Sequence, residues 1–213
     1  MKRFSFVLVF FLLLSGCSNQ SMQLEKQEIG QITFAFAEEV YSNASNLTKI
    51  SETLLELANN PNVLKDQESF LKQFAVEDQE QMIYRSVEKV VLHRLNTEYN
   101  EPIARRVIET VHKQNQLLRN VSIYLTEEKL EGENTKNELQ KLQQNIEGLL
   151  PLLYPRDDIH DDDTNLYNVI AYSYKFKKGG ELDQMSNEGL KNLLDMLDTR
   201  MNEIITFLDD HTN

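Results

Sequence analysis

Residues 187–210 read NEGLKNLLDMLDTRMNEIITFLDD, and within them Leu190, Leu194, Leu197, Met201, Ile204 and Leu208 alternate steps of four and three. That spacing aligns apolar side chains along one face of an α-helix, as in a coiled-coil seam. Working back from it, the same period recurs. Thr135 with Glu138 forms a capping box ahead of Leu139, Leu142, Ile146 and Leu149, with Pro151 and Pro155 expected to stop that helix. Asn100-Glu101-Pro102 reads as a cap with proline in the first turn, opening a stripe of Ile103, Val107, Val111, Leu118, Val121 and Leu125. Met82, Ile83, Val87, Val90, Val91 and Leu95 make a helix before it, and Val63, Phe70, Leu71 and Phe74 a shorter one. The first stripe runs through Ile29, Ile32, Phe36, Val40, Leu47, Ile50, Leu54 and Leu57 to Asn59-Asn60-Pro61, where the residue before proline is pushed out of helical geometry.

The charged residues between the stripes, among them Glu38, Glu39, Lys49, Glu52, Glu56, Lys136, Lys141, Asp195, Asp198 and Arg200, read as solvated faces. With 7 glycines and 4 prolines the chain has little turn material for a many-stranded sheet. The expectation is an all-α fold, an antiparallel helical bundle of about five to six helices. One stretch departs from the pattern: large residues alternate through Ile170-Ala171-Tyr172-Ser173-Tyr174-Lys175-Phe176-Lys177, the period of a strand, ahead of Gly179-Gly180. No second strand is visible to pair with it, so a short helix turning Leu166, Val169, Ile170 and Phe176 inward is preferred. If it is extended instead, Tyr172, Tyr174 and Phe176 mark an edge that could add a partner's strand.

The amino terminus concerns location. Lys2 and Arg3 precede an apolar run from Phe4 to Leu14 that ends at Leu14-Ser15-Gly16-Cys17, the pattern of a secretion signal too short for a comfortable bilayer span. Those last four residues resemble the lipobox of bacterial lipoproteins. The resemblance implies that residues 1–16 are removed and that Cys17 is acylated and anchors the chain on the extracytoplasmic face of the cell membrane. Residues 17–26 would then serve as a polar tether and 27–213 as the bundle domain. Cys17 is the sole cysteine, so no disulfide framework supports the fold. Ser18, with the Asn, Gln and Lys content, points to a Gram-positive host. The string Leu57-Ala58-Asn59-Asn60-Pro61-Asn62-Val63 is similar to the helix-ending segment of bacterial extracytoplasmic sensor domains, and implies ligand or partner sensing by analogy.

A net charge of −12 disfavours nucleic acid as a partner and holds the body off an anionic membrane surface. The densest acidic stretch, Asp157-Asp158-Ile159-His160-Asp161-Asp162-Asp163-Thr164-Asn165, offers oxygen ligands to a hard cation such as calcium, with Asp157, Asp161 and Asp163 the candidate ligands. Asp161, Asp163 and Asn165 match the first three positions of a helix-loop-helix calcium loop, but Leu166 and Tyr172 stand where its glycine and closing glutamate belong. An acidic linker feeding the start of the next helix is the competing reading. His93, His112, His160 and His211 are too dispersed for zinc, and Glu109 before His112 has no counterpart before His93 to complete a di-iron pair. Neither a Gly-x-Ser-x-Gly elbow nor a phosphate loop around Gly179-Gly180 occurs. Asn43-Ala44-Ser45, Asn46-Leu47-Thr48 and Asn120-Val121-Ser122 match the glycosylation pattern by chance, lying within expected helices.

No enzyme activity and no cofactor are expected. The function expected is a membrane-anchored helical module for protein interaction or sensing, with an envelope or secreted protein as partner. The alternative is a small-ligand or calcium-binding accessory lipoprotein using residues 157–163.

Overall fold

The computed structural model describes residues 4–60, 62–75, 81–127, 135–155, 165–174 and 186–211, with side chains from 27 onward except those of 81–86, 127 and 172–174. All the regular structure among them is helical: α1 (Phe4–Leu57), α2 (Val63–Ala75), α3 (Gln81–Leu95), α4 (Glu101–Glu127), α5 (Thr135–Leu153), α6 (Leu166–Tyr174) and α7 (Asn187–His211). Seven helices stand among the described residues where five to six were expected, and the preferred helical reading of the stretch after Asn165 is the one found, as α6; its start explains why it is a helix. Asn165 Oδ1 accepts a hydrogen bond from the Asn168 N–H at 2.9 Å while the Asn165 carbonyl accepts from Val169, the signature of an N-cap. Leu166, Val169 and Ile170 turn inward, and Ala171 beside Ile170 is buried as well. Burial of two successive residues is incompatible with a half-buried strand, in which neighbours face opposite ways.

The helix start expected at Asn100 is capped as foreseen, and α7 begins at a cap of the same kind. Asn100 Oδ1 accepts from the Ile103 N–H at 3.1 Å at the start of α4, and Ser186 Oγ accepts from the Gly189 N–H at 3.0 Å ahead of α7. Pro151 does not stop α5, which continues to Leu153. It removes only the bond to the Glu147 carbonyl, within the last turn, and full burial of Leu149, Leu150 and Leu153 holds that turn in place. Residues 17–26, expected as a tether, are helical and continuous with the rest of α1. No proline or glycine interrupts the chain from Cys17 to Ile29, so nothing there opposes helix propagation.

One hydrophobic core joins the helices. α1 packs on α5 and α6, and α7 on α4 and α5. The buried face of α7 comprises Leu190, Leu193, Leu194, Leu197, Met201, Ile204, Phe207 and Leu208, wider than a two-per-heptad seam. A stripe that wide is what contact with two neighbouring helices requires. Each leucine so buried contributes about 1.5–3 kcal/mol relative to exposure.

Cross-helix pairs give the directions. From Asn59–Lys136 through Ser51–Glu147 to Thr48–Tyr154, numbers fall along α1 as they rise along α5. Glu138 faces His211 and Lys141 lies over Phe207, so α5 and α7 are also antiparallel. Asn100–Asn187, Arg106–Asp195 and Tyr124–Phe207 rise together, so α4 and α7 run parallel. The antiparallel expectation therefore fails for that pair. Both α5 and α6 lie between them in the chain, so no single hairpin connection forces α4 and α7 to run in opposite directions.

Candidate interaction site

On the flank of α1 beside its core face, at helical spacing, stand Phe34, Glu38, Tyr41, Ser45 and Thr48. Tyr41 is 46% exposed and Phe34 42%, among the few large hydrophobic side chains left open to solvent. The end of α5 and the start of α6 bring two more rings to this face. Tyr154 meets Tyr41 edge to face, with centroids 5.6 Å apart and planes at 85°, and Tyr167 is tilted by 58° at 6.0 Å. The two flanking hydroxyls are anchored: Tyr167 Oη donates to Glu38 Oε1 at 3.0 Å, and Tyr154 Oη shares a hydrogen bond with Thr48 Oγ1 at 3.1 Å. Two rings thus flank the half-exposed Tyr41, each inclined to it, with the Glu38 carboxylate at the rim.

Other polar constellations couple helices. On α4 and α7, Arg106 Nη2 donates to Asp195 Oδ1 at 2.8 Å and to Asp198 Oδ2 at 2.9 Å, while Lys113 Nζ reaches Asp198 Oδ1 at 3.1 Å. Burial pulls the Asp198 carboxyl upward, but the hydrogen bonds and charges of Lys113 and Arg106 outweigh it and hold the group below its ordinary value. Burial likewise works against the Arg106 charge, and the two aspartates reverse that, leaving the guanidinium more basic than usual. Asp198 and Glu39, expected on solvated faces, are half-buried and bonded, Glu39 accepting from Asn115 Nδ2 at 2.9 Å. Asn43 donates to Asn115 in the same network, so that sequon asparagine has a structural partner. Between α1 and α4 the fully buried Gln114 donates to the Val40 carbonyl at 3.1 Å, and its Oε1 has no hydrogen-bond partner.

Cys17 lies within α1, with no side-chain description. Tyr172 and Tyr174 lie in the last turns of α6, which packs on α1, but their side chains are outside the described set, as is Phe176 altogether. Asp157, Asp161 and Asp163 also fall outside the described residues. Of the calcium-loop pattern only Asn165 is described, and its side-chain oxygen caps α6 from a buried position. Among the described residues no group of three or more His, Cys, Asp and Glu side chains is placed to hold a metal ion. Among those residues, too, no helix is long and apolar enough to cross a membrane.

Sequence reasoning missed Tyr41, Tyr154, Tyr167 and Glu38. A signal was present for Phe34 and Tyr41, large aromatics seven apart on the polar face of α1 where no core requires them. Their meeting with Tyr154 and Tyr167 depends on how α5 and α6 dock. No family model, no curated protein and no solved structure matches this chain.

Proposed function

We propose that this chain is a bacterial lipoprotein, anchored through acyl chains on Cys17 at the extracytoplasmic face of the membrane, whose helical bundle docks another envelope protein or a secreted factor. The observation that carries the docking part is the half-exposed Tyr41 packed against both Tyr154 and Tyr167. Aromatic side chains of this kind are enriched at protein interfaces, where they provide large contact area at low entropic cost. The polar hydroxyls at the edge suit a rim, and the inclined rings a centre.

Two experiments test the two parts. A photo-crosslinking amino acid placed at position 41 in living cells is expected to capture a discrete partner, and one at the exposed position of Glu52 is not. Equal or absent capture at both positions would remove the tyrosine cluster from consideration. For the anchor, Cys17→Ala is expected to leave the body unprocessed or released. Membrane retention of correctly cut, unlipidated protein would contradict it.

A further inference from the structure

We infer that residues 18–29 form a helical stalk that holds the bundle, and with it the tyrosine surface, at a set height above the bilayer; this rests on the lipid-anchor reading above. Backbone continuity is the first observation. One helix, α1, runs through Cys17 and on through Val40, Leu47 and Leu54 in the core, so the anchoring residue and the body share a single rod. Local chemistry favours that state. Met22-Gln23-Leu24-Glu25-Lys26-Gln27-Glu28 is an unbroken run of the strongest helix formers after alanine. It extends a helix already nucleated and locked by packing, so it adds hydrogen bonds without the cost of starting a helix. Gly30 is the weak point of such a rod, since glycine loosens a helix interior. It is buried, and the fully buried Thr33 donates to the Ile29 carbonyl at 2.8 Å, bracing the turn that contains it.

Where the body begins follows from its neighbours. α1 and α7 are each antiparallel to α5, and α4 is parallel to α7, so α4 and α1 run in the same direction. With Gln114 bonded to the Val40 carbonyl, the start of α4 at Glu101 lies about 20 Å nearer the anchor, level with Gln27. Burial agrees: Gln27 and Glu28 are exposed, Ile29 is half-buried and Gly30 is enclosed. About 15 Å of helix therefore separates Cys17 from the near end of the body, and about 36 Å separates it from Tyr41. Asn100 bonds Asn187 at that end, which carries Glu98, Glu101 and Glu188 on a chain of net charge −12. A gap of about 15 Å is close to twice the ~8 Å Debye length of physiological salt, so the rod keeps the acidic end clear of repulsion by anionic headgroups.

The test uses the full chain, with acylation of Cys17 read by mass spectrometry and labels placed at Ser21→Cys, Gln31→Cys or Glu52→Cys. Double electron–electron resonance between spin labels at positions 21 and 52 is expected to give one narrow distance of about 46 Å. Replacing residues 22–26 by Gly-Ser-Gly-Ser-Gly, equal in length, should broaden that distribution. In phosphatidylcholine vesicles, energy transfer to a headgroup acceptor should fall steeply from a dye at position 31 to one at position 52, which stand about 21 and 52 Å along the helix from Cys17. The replaced chain should lose most of that difference, because its body can tip towards the bilayer. The urea midpoint should be the same for both chains, since a stalk contributes nothing to the core. A broad distance in the parent chain, equal transfer from its two positions, or a replacement that alters neither readout would each overturn the inference. So would a lowered urea midpoint, which would mean that residues 22–26 pack on the body. Acylated Cys17 with a broad distance sinks the stalk and leaves the anchor standing. A narrow distance in a chain whose Cys17 is unmodified removes the anchor, and the stalk with it.

Discussion

Leu197 is fully buried in the middle of α7, which packs on both α4 and α5. Leu197→Ala deletes three carbons; at ~0.8 kcal/mol for each buried methylene this loses about 2.4 kcal/mol of transfer free energy. A residual cavity of about 50 Å³ adds about 1.2 kcal/mol at ~24 cal/mol per Å³, so the expected cost is roughly 3.5 kcal/mol, within about 2–5. The neighbouring Asp198→Ala is the control, and the structure alters its expected size. A sequence reading makes Asp198 a solvated charge with almost no effect, yet its carboxylate joins Arg106 and Lys113 across the α4–α7 interface. With the pair partly solvent-screened, the loss should be about 1 kcal/mol. Urea denaturation followed by helical circular dichroism measures both, with an unchanged slope as the condition for reading midpoints as stability. Equal effects of the two substitutions would show that the register of α7 is wrong. If Leu197→Ala leaves the monomer stable but abolishes self-association, the seam belongs to an interface between copies of the chain.

Because the folded pKa of Asp198 lies below its ordinary 3.8, its contribution is fully present above that value and is lost as pH falls through the lower folded value. The stability gap between wild type and Asp198→Asn should therefore be present at about pH 7 and shrink once the pH drops below the ordinary carboxylate range; a gap that grows on acidification would contradict the assignment. Gln114→Leu removes a buried acceptor that has no partner, together with one hydrogen bond to Val40, and should change stability by less than about 1 kcal/mol, while Gln114→Ala leaves a cavity and should cost more than about 2 kcal/mol in the same denaturation assay. Replacing Asp161, Asp162 and Asp163 together by Asn should cost under about 1 kcal/mol in calcium-free buffer. Calorimetric titration of the parent chain with calcium then decides whether that stretch is a ligand site, since saturable heat and a matching rise in stability would move the function towards the calcium-binding alternative.

Local chemistry made much of this protein legible in its sequence. The stripes on α1, α4, α5 and α7 identify their buried faces because helical period and burial are tied by geometry: Ile50, Val107, Ile146 and Leu197 are all fully enclosed. Asn100 caps α4 through its own side chain, three residues from its partner, so no distant contact was needed to foresee it. Tertiary structure decided what depends on neighbours. It kept Pro151 inside α5 because three buried leucines offset one lost hydrogen bond, and it made 166–174 a helix in which the successive residues Ile170 and Ala171 are both buried. It set α4 parallel to α7, drew Asp198 into a charge cluster with residues more than eighty positions away, and gathered Tyr41, Tyr154 and Tyr167 into one surface. Periodicity states which face of a helix is apolar, but it carries no information on which helix will lie against the other faces; that is settled by how the side chains of separate elements fill a common volume.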